Sequence, residues 1–497
     1  MAKGSSKLAT LELKGRRTPV NIDAPWPSLE EAELRVLRIQ TKLHQWAIEA
    51  PRSRFADLAN LVADPAFLIV AWERVRRNRG ARSAGVDGVQ PRAINKARET
   101  FLLTLREELK AQTFRPLPVR ERMIPKANGK LRRLGIPTAR DRVVQASLKL
   151  VLEPIFEADF KPCSYGFRPG RRTHDAIAEI HFFTSRTYEW VLEGDISACF
   201  DEIDHTALMQ RVRERIADKR IVRLVKAFLR AGILSKQGLH QNSNSGTPQG
   251  GILSPLLANI ALSVLDEYFA KDWEHDGAAS QRVMRRKKGL PSFRLVRYAD
   301  DFVVMVKGSR NDAERLRVEV AAVLAPMGLQ LSESKTKIAS IDEGFDFLGF
   351  RIQRRRKRGT TRRYVYTYPS KKAVQAIIDK VRTLTAREAH RTLTDLLERV
   401  NPVLRGWCTY FRHGVSKRIF GYLDHYMWHR VFHWLRKRHV GKTWKSLDRR
   451  YYQGTRPFEN GVTLFNPSTT TVSRYRYRAK RIPTPWIEQT KPQFPTA

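Results

Sequence analysis

Two neighbouring aspartates, Asp300 and Asp301, sit in the stretch RYADDFVVMV, between a strand-like FRLVRY and an apolar FVVMV. A third, Asp195, ends the apolar run YEWVLEGDI. Aspartate is a common turn residue, so a hairpin needs no further reason to hold one. Three carboxylates at the ends of strand-like runs raise a different question. If those strands lie side by side in one sheet, the acids converge at its edge, where unit charges about 4 Å apart repel by about 4 kcal/mol per pair at an effective dielectric of about 20. Divalent cations relieve that repulsion. Hard oxygen ligands suit Mg2+, which takes one or two carboxylates together with substrate phosphates. Two such ions about 3.5–4 Å apart activate an attacking hydroxyl and stabilise the leaving oxygen of an in-line phosphoryl displacement. The chemistry expected here is nucleotidyl transfer.

The elements that must hold these acids are legible in outline. Ser28 and Glu31 form a capping box ahead of a helix, and further helices are expected over 54–78 and 91–110. RERMIPKANGKLRRLGIPT reads as two short strands about the turn Ala127-Asn128-Gly129. An amphipathic helix over 140–157 follows. SGTPQGGILSPLLANIALSVLDEYF reads as a loop feeding a helix, with Ser254 as its cap and Pro255 in the first turn. A helix over 311–326 and a strand through FDFLGFRI complete an α+β block. Arg351 to Arg363 contains eight basic residues and no acidic one, and YVYTYPS then resumes as a strand. Beyond Ser370 the pattern is helical to about Tyr452, and the last 45 residues read as basic and extended.

Composition narrows the partners. The 497 residues carry 92 Lys+Arg against 50 Asp+Glu, a net charge of +42. That much self-repulsion points to a polyanionic partner, with nucleic acid ahead of an anionic membrane surface. Three scattered cysteines exclude a disulfide framework and a cysteine-based zinc module. No apolar run reaches the roughly 18 residues of a membrane span, and the N-terminus has no signal-peptide core. The expected location is a reducing cytoplasm, that of a bacterium ahead of an organelle.

Taken in order, RMIPKANGKLRRLGIPTARDRVVQ, SYGFRPGR, GDISACFDEIDH, SGTPQGGILSPLLANI, RYADDFVV, LSESKTKI and FLGF resemble the motifs of group II intron reverse transcriptases, also called maturases, and NPVLRGWCTYF continues the resemblance into their thumb. The resemblance spans roughly residues 30–485. It implies an α+β right-hand polymerase followed by an all-α domain. The boundaries it implies are a basic N-terminal tail at 1–28, an N-terminal extension and start of the fingers at 29–110, fingers and palm at 111–369, a thumb or maturase domain at 370–452, and a basic DNA-binding tail at 453–497. Many relatives end in a Cys/His-rich DNA endonuclease domain. No His or Cys follows Tyr452 in this sequence, so the class without that domain is expected.

Carried over residue by residue, the resemblance assigns Asp195, Asp300 and Asp301 to the metal-binding triad for two Mg2+ ions, with the Ile196 carbonyl completing one shell. Phe200 matches an aromatic gate that excludes a ribose 2′-hydroxyl. Lys126 and Arg132, with Arg120 as a further candidate, match cations that grip the incoming triphosphate. Gln249 matches a residue beneath the incoming nucleotide, and Lys335 a lysine near the leaving pyrophosphate. Arg354, Arg355, Arg356, Lys357 and Arg358, with Arg430, Arg436, Lys437 and Arg438 in the thumb, are expected to bind RNA. His425, His429 and His433 recur every four residues. Without a Cys or H-E-x-x-H partner they read as RNA stacking or helix packing, beside Trp428 and Trp434, rather than as a metal site. The implied partners are the intron RNA, an RNA template with a DNA primer or target, and deoxynucleoside triphosphates; a homodimer is compatible with them. A relative serving defence or repair without an intron, a splicing-only maturase and a viral RNA polymerase remain as alternatives, the last disfavoured by an aromatic at position 200.

Overall fold

The computed structural model of the chain describes residues 26–125, 129, 131–234, 240–241, 245–247, 250–274, 278–386, 391–479 and 481–486. At its centre is a four-stranded antiparallel sheet in the order Ser292–Tyr298, Asp301–Lys307, Trp190–Gly194, Lys337–Ser340. Side chains alternate across a strand. Phe302, Val304 and Val306 therefore enter one core, with the helices Ser254–Ala270 and Arg310–Leu324, while Val303 and Met305 enter a second, with the helix Thr173–Thr184. Both faces are covered, which is why FVVMV is apolar without alternation.

The N-terminal side packs three helices, Leu29–Glu49, Pro65–Arg77 and Ala139–Asp159, against one another. Ser28 caps the first with a capping box, as its spacing predicts. The helix expected over 54–78 is broken into Ala59–Val62 and Pro65–Arg77, because Asp64 caps the second piece and Pro65 begins it. The segment expected at 91–110 starts as a 3-10 turn, Pro91–Ala97, and becomes α-helical at Arg98–Ala111. Ala139–Asp159 is buried on nearly every side rather than amphipathic. Pro154 lies inside it and cannot donate to the Leu150 carbonyl four residues earlier. The Gln40 amide of the first helix donates to that carbonyl instead, at 2.7 Å.

The basic hairpin Val119–Pro125 with Leu131–Ile136 forms as expected; its turn residues other than Gly129 lie outside the described residues. FDFLGFRI is two strands rather than one. Leu348 and Gly349 take positive φ, so Phe345–Phe347 turns back on Phe350–Arg356, which pairs in turn with Arg363–Pro369. Ser254 is the first helical residue and not the cap, which is Leu253.

Four helices follow, Lys371–Leu384, Leu393–Phe411, Lys417–Arg438 and Trp444–Tyr451, around a third core. The chain after them departs most from expectation. Residues 453–479 and 481–486 do not stand apart from the fold but run as a strap over the molecule. Arg456 pairs with Asp424, Arg478 with Asp175 at 2.8 Å, and Ile482 and Trp486 are buried. Trp486 reaches the first helix, where its indole N–H donates to Gln40 and its ring lies 5.4 Å from that of His44. Apolar anchors and neutralising carboxylates hold this basic segment down.

Candidate active site

Strand register brings the three acids to one edge of the sheet, although among the described residues no three His, Cys, Asp or Glu side chains are gathered as a metal centre. Gly194 pairs with Phe302 across two antiparallel strands. One step further along the same register, past the end of the ladder, Asp195 falls on the side of Asp301. Asp301 also pairs with Tyr298, leaving Ala299 and Asp300 as a two-residue turn. The Phe302 ring lies over Gly194 so closely that a Cβ there would sit 2.0 Å from it, so only glycine fits beside Asp195. Desolvation in the cleft, then the Asp300 and Asp195 charges, push the Asp301 carboxyl up to about 6, against the pull of Lys335. Asp301 is nonetheless open to solvent on its outer side.

Asp195 and Ile196 are fixed by the following loop. The Ser332 N–H donates to the Asp195 carbonyl at 2.8 Å, and the Ser197 N–H to the Gln330 carbonyl at 2.9 Å. In this antiparallel bridge of Ile196 with Leu331, the Ile196 carbonyl points away from Leu331 and is free of the bridge. The Lys335 ammonium lies 2.7 Å from an Asp195 carboxylate oxygen. A cation therefore already stands against the acids. Hard oxygen donors crowded until one is driven toward its protonated form fit divalent metal ions.

The turn carrying Asp300 is strained and braced. Ala299 has φ of 59°, unusual for a residue with a Cβ. Arg297, fully buried, spends all its donors around it: on Asp266 at 2.7 and 2.5 Å, on the Asn259 side-chain oxygen at 3.0 Å, on the Ala299 carbonyl at 2.9 Å and on the Ser164 hydroxyl at 2.8 Å. The Asn259 amide also donates to the Gly166 carbonyl, and a Cβ on Gly166 would lie 2.2 Å from the Ala299 nitrogen. Sequence reasoning assigned no role to Arg297, Asp266, Asn259 or Ser164. A signal was present: Asn259 and Asp266 are seven residues apart on one face of the apolar LLANIALSVLDEYF, where a buried carboxylate requires a partner.

Phe200 lies on the short helix Cys199–Glu202, half-buried against the core behind the sheet, and its carbonyl accepts the Thr247 N–H. Gln249 and Lys126 lie outside the described residues. The chain after Gln249 is anchored by the Ile252 N–H on Gln145. Register and alternation put Arg120 and Arg132 on one face of the basic hairpin and add Arg122, which the sequence motifs alone did not single out. Arg120 is committed to the Ala84 carbonyl at 2.7 Å.

The cations expected to bind RNA divide. Arg354 faces inward and holds Asp342 and Glu189, so it ties the hairpin to the sheet; Arg355, Arg356, Lys357 and Arg358 are exposed. Arg430 donates to the Thr385 hydroxyl within the helical region, whereas Arg436, Lys437 and Arg438 are exposed. Trp434 is buried in the core and so is not a stacking surface. Trp428 stacks on Phe432, and the rings of His425 and His429 lie 4.3 Å apart.

Residues 124–352 match the reverse transcriptase (RNA-dependent DNA polymerase) family, and residues 374–452 match the group II intron maturase-specific domain. Protein YkfC of Escherichia coli is 39% identical over 68% of this chain and 93% of its own length. The group II intron-encoded protein LtrA of Lactococcus lactis is 33% identical over 62% of this chain and 58% of its own. A 91 kDa protein in a cob intron of Schizosaccharomyces pombe is 32% identical over 57% of this chain and 40% of its own. The chain thus spans nearly all of the first relative and about half of the other two. It belongs to the group II intron reverse transcriptases, RNA-directed DNA polymerases joined to a maturase domain.

Proposed function

We propose that this chain extends a DNA primer on an RNA template from deoxynucleoside triphosphates, using two Mg2+ ions, and that it serves a mobile intron whose RNA it binds to assist splicing and whose copy it primes at a DNA target. The observation that carries this reading is the register that brings Asp195 to the side of Asp301, with Asp300 in the adjoining turn. Asp195, Asp300, Asp301 and the Ile196 carbonyl would hold the ions. Bound there, they would lower the pKa of the primer hydroxyl and neutralise charge on the transferring phosphoryl group.

The remaining groups bind and select. Phe200 excludes a 2′-hydroxyl by volume. Lys126 and Arg132, with Arg120 as a further candidate, neutralise the triphosphate, and Gln249 supports the nucleotide. Lys335, whose ammonium lies 2.7 Å from Asp195, would give a proton to the departing pyrophosphate. Fingers and palm then correspond to residues 111–369 and the thumb to 370–452. The test is primer extension by Asp300→Ala with oligo(dT) on poly(rA). Extension should vanish while affinity for the hybrid persists, because the substitution removes a metal ligand and leaves every phosphate-binding cation in place. Extension near the wild-type rate would refute the assignment.

A further inference from the structure

The hairpin of Phe350–Arg356 and Arg363–Pro369 has two unlike faces. Phe350, Ile352, Val365 and Thr367 are buried on the inner one, joined by the ion-paired Arg354. The outer face carries three cross-strand pairs: Arg351 with Tyr368, Gln353 with Tyr366, and Arg355 with Tyr364. The three tyrosines alternate along one strand and so form a ladder about 13 Å long at the usual strand rise. Tyr364 is 43% exposed, the other two are partly so, and the rings of Tyr366 and Tyr368 are 5.9 Å apart. Tyrosine favours strands, and cross-strand packing alone would justify one or two. It does not explain three phenol hydroxyls with no hydrogen-bond partner among the described residues, on the open face of a sheet whose other face is filled.

We propose that this ladder is a docking platform for single-stranded RNA, with bases stacked on the tyrosine rings. The inference rests on the reading of the chain as an RNA-binding reverse transcriptase and specifies where and how a strand is held. Aromatic rings on a sheet accept unpaired bases, and arginine planes add to the stack. The Arg355 guanidinium already lies 5.5 Å from the centre of the Tyr368 ring. Around the far end of the ladder, Arg355, Arg356, Lys357, Arg358 and Arg362 have no carboxylate partner among the described residues, which suits a phosphate backbone. The nearby acids Asp342 and Asp346 are occupied by Arg354 and Arg351. Free phenol hydroxyls can exchange hydrogen bonds with the 2′-hydroxyl, the group that separates RNA from DNA.

The test measures binding of a labelled oligo(U) of about eight nucleotides by full-length protein whose polymerase cleft is first saturated with an RNA–DNA hybrid. The matched probes are oligo(dT) and an RNA backbone lacking bases. Wild type should bind oligo(U) about tenfold or more tighter than the baseless strand, a difference within the range of stacking one or two bases. Replacing all three tyrosines by isoleucine, a good strand former, should erase that difference and leave the salt dependence unchanged. Replacing them by phenylalanine should keep the base dependence and reduce the preference for RNA over DNA. Melting curves of the variants, and the ring-retaining phenylalanine variant itself, separate loss of the platform from loss of the fold. Base-dependent affinity that survives in the isoleucine variant overturns the proposal, and equal wild-type binding of oligo(dT) and oligo(U) overturns the choice of RNA. Primer extension by wild type is read in parallel. Extension without base-dependent binding sinks the platform alone, and binding without extension sinks the polymerase reading alone.

Discussion

Arg297 offers the sharpest separation of stability from catalysis. Its side chain and that of Asp266 are fully buried, and its guanidinium makes five hydrogen bonds. Arg297→Met leaves the Asp266 carboxylate buried with no countercharge, a change that costs about 3–5 kcal/mol. Adding Asp266→Leu removes the stranded charge, and apolar replacement of a buried pair is often close to neutral. The Ser164 hydroxyl and the Ala299 carbonyl still lose their donor, at about 1–3 kcal/mol each if left unsatisfied. The double variant should therefore regain part of the loss, a coupling on the order of 2 kcal/mol, measurable as shifts in the urea midpoint. Extension should not return with it. The turn holding Asp300 depends on the bond from Arg297 to the Ala299 carbonyl to keep a left-handed alanine that is itself disfavoured by about 1–2 kcal/mol. A displacement of about 1 Å at a reacting centre is worth about 100-fold in rate. If the double variant regains stability and extends primers at the wild-type rate, Arg297 is packing and nothing more.

Phe200→Val should raise ribonucleotide incorporation relative to deoxyribonucleotide, and an unchanged ratio would make Phe200 an ordinary core residue. Replacing Arg355, Arg356, Lys357 and Arg358 with alanine should flatten the log–log salt dependence of RNA binding by about 0.7 for each phosphate that is no longer neutralised. Arg354→Ala should leave that slope nearly alone and lower stability by about 1 kcal/mol, since its partners are protein carboxylates near the surface. Trp486→Ala should free the strap from the first helix, seen as faster hydrogen exchange over residues 470–486 with little change in the central sheet. Uniform loss of protection everywhere would mean the strap is part of the global core.

The sequence by itself determined the chemistry and most of the elements. Asp195, Asp300 and Asp301 stood out as candidates because charged residues at the ends of apolar runs need a reason, and the ordered motifs supplied one. The capping box at Ser28 and the basic hairpin were legible because local backbone chemistry depends on near neighbours. Tertiary structure alone decided what long-range partners do with a side chain. Arg354 and Arg355 are adjacent and alike in sequence, yet the pleat turns one toward Asp342 and the other toward Tyr368. Arg297 reads as one more arginine in a very basic chain until Asp266, 31 residues earlier, meets it inside the protein. The last 45 residues read as a basic, extended segment because nothing local in their sequence names a protein partner. Only the fold brings Asp175 to Arg478 and Gln40 to Trp486, and those contacts, distant in sequence, are what hold the strap down.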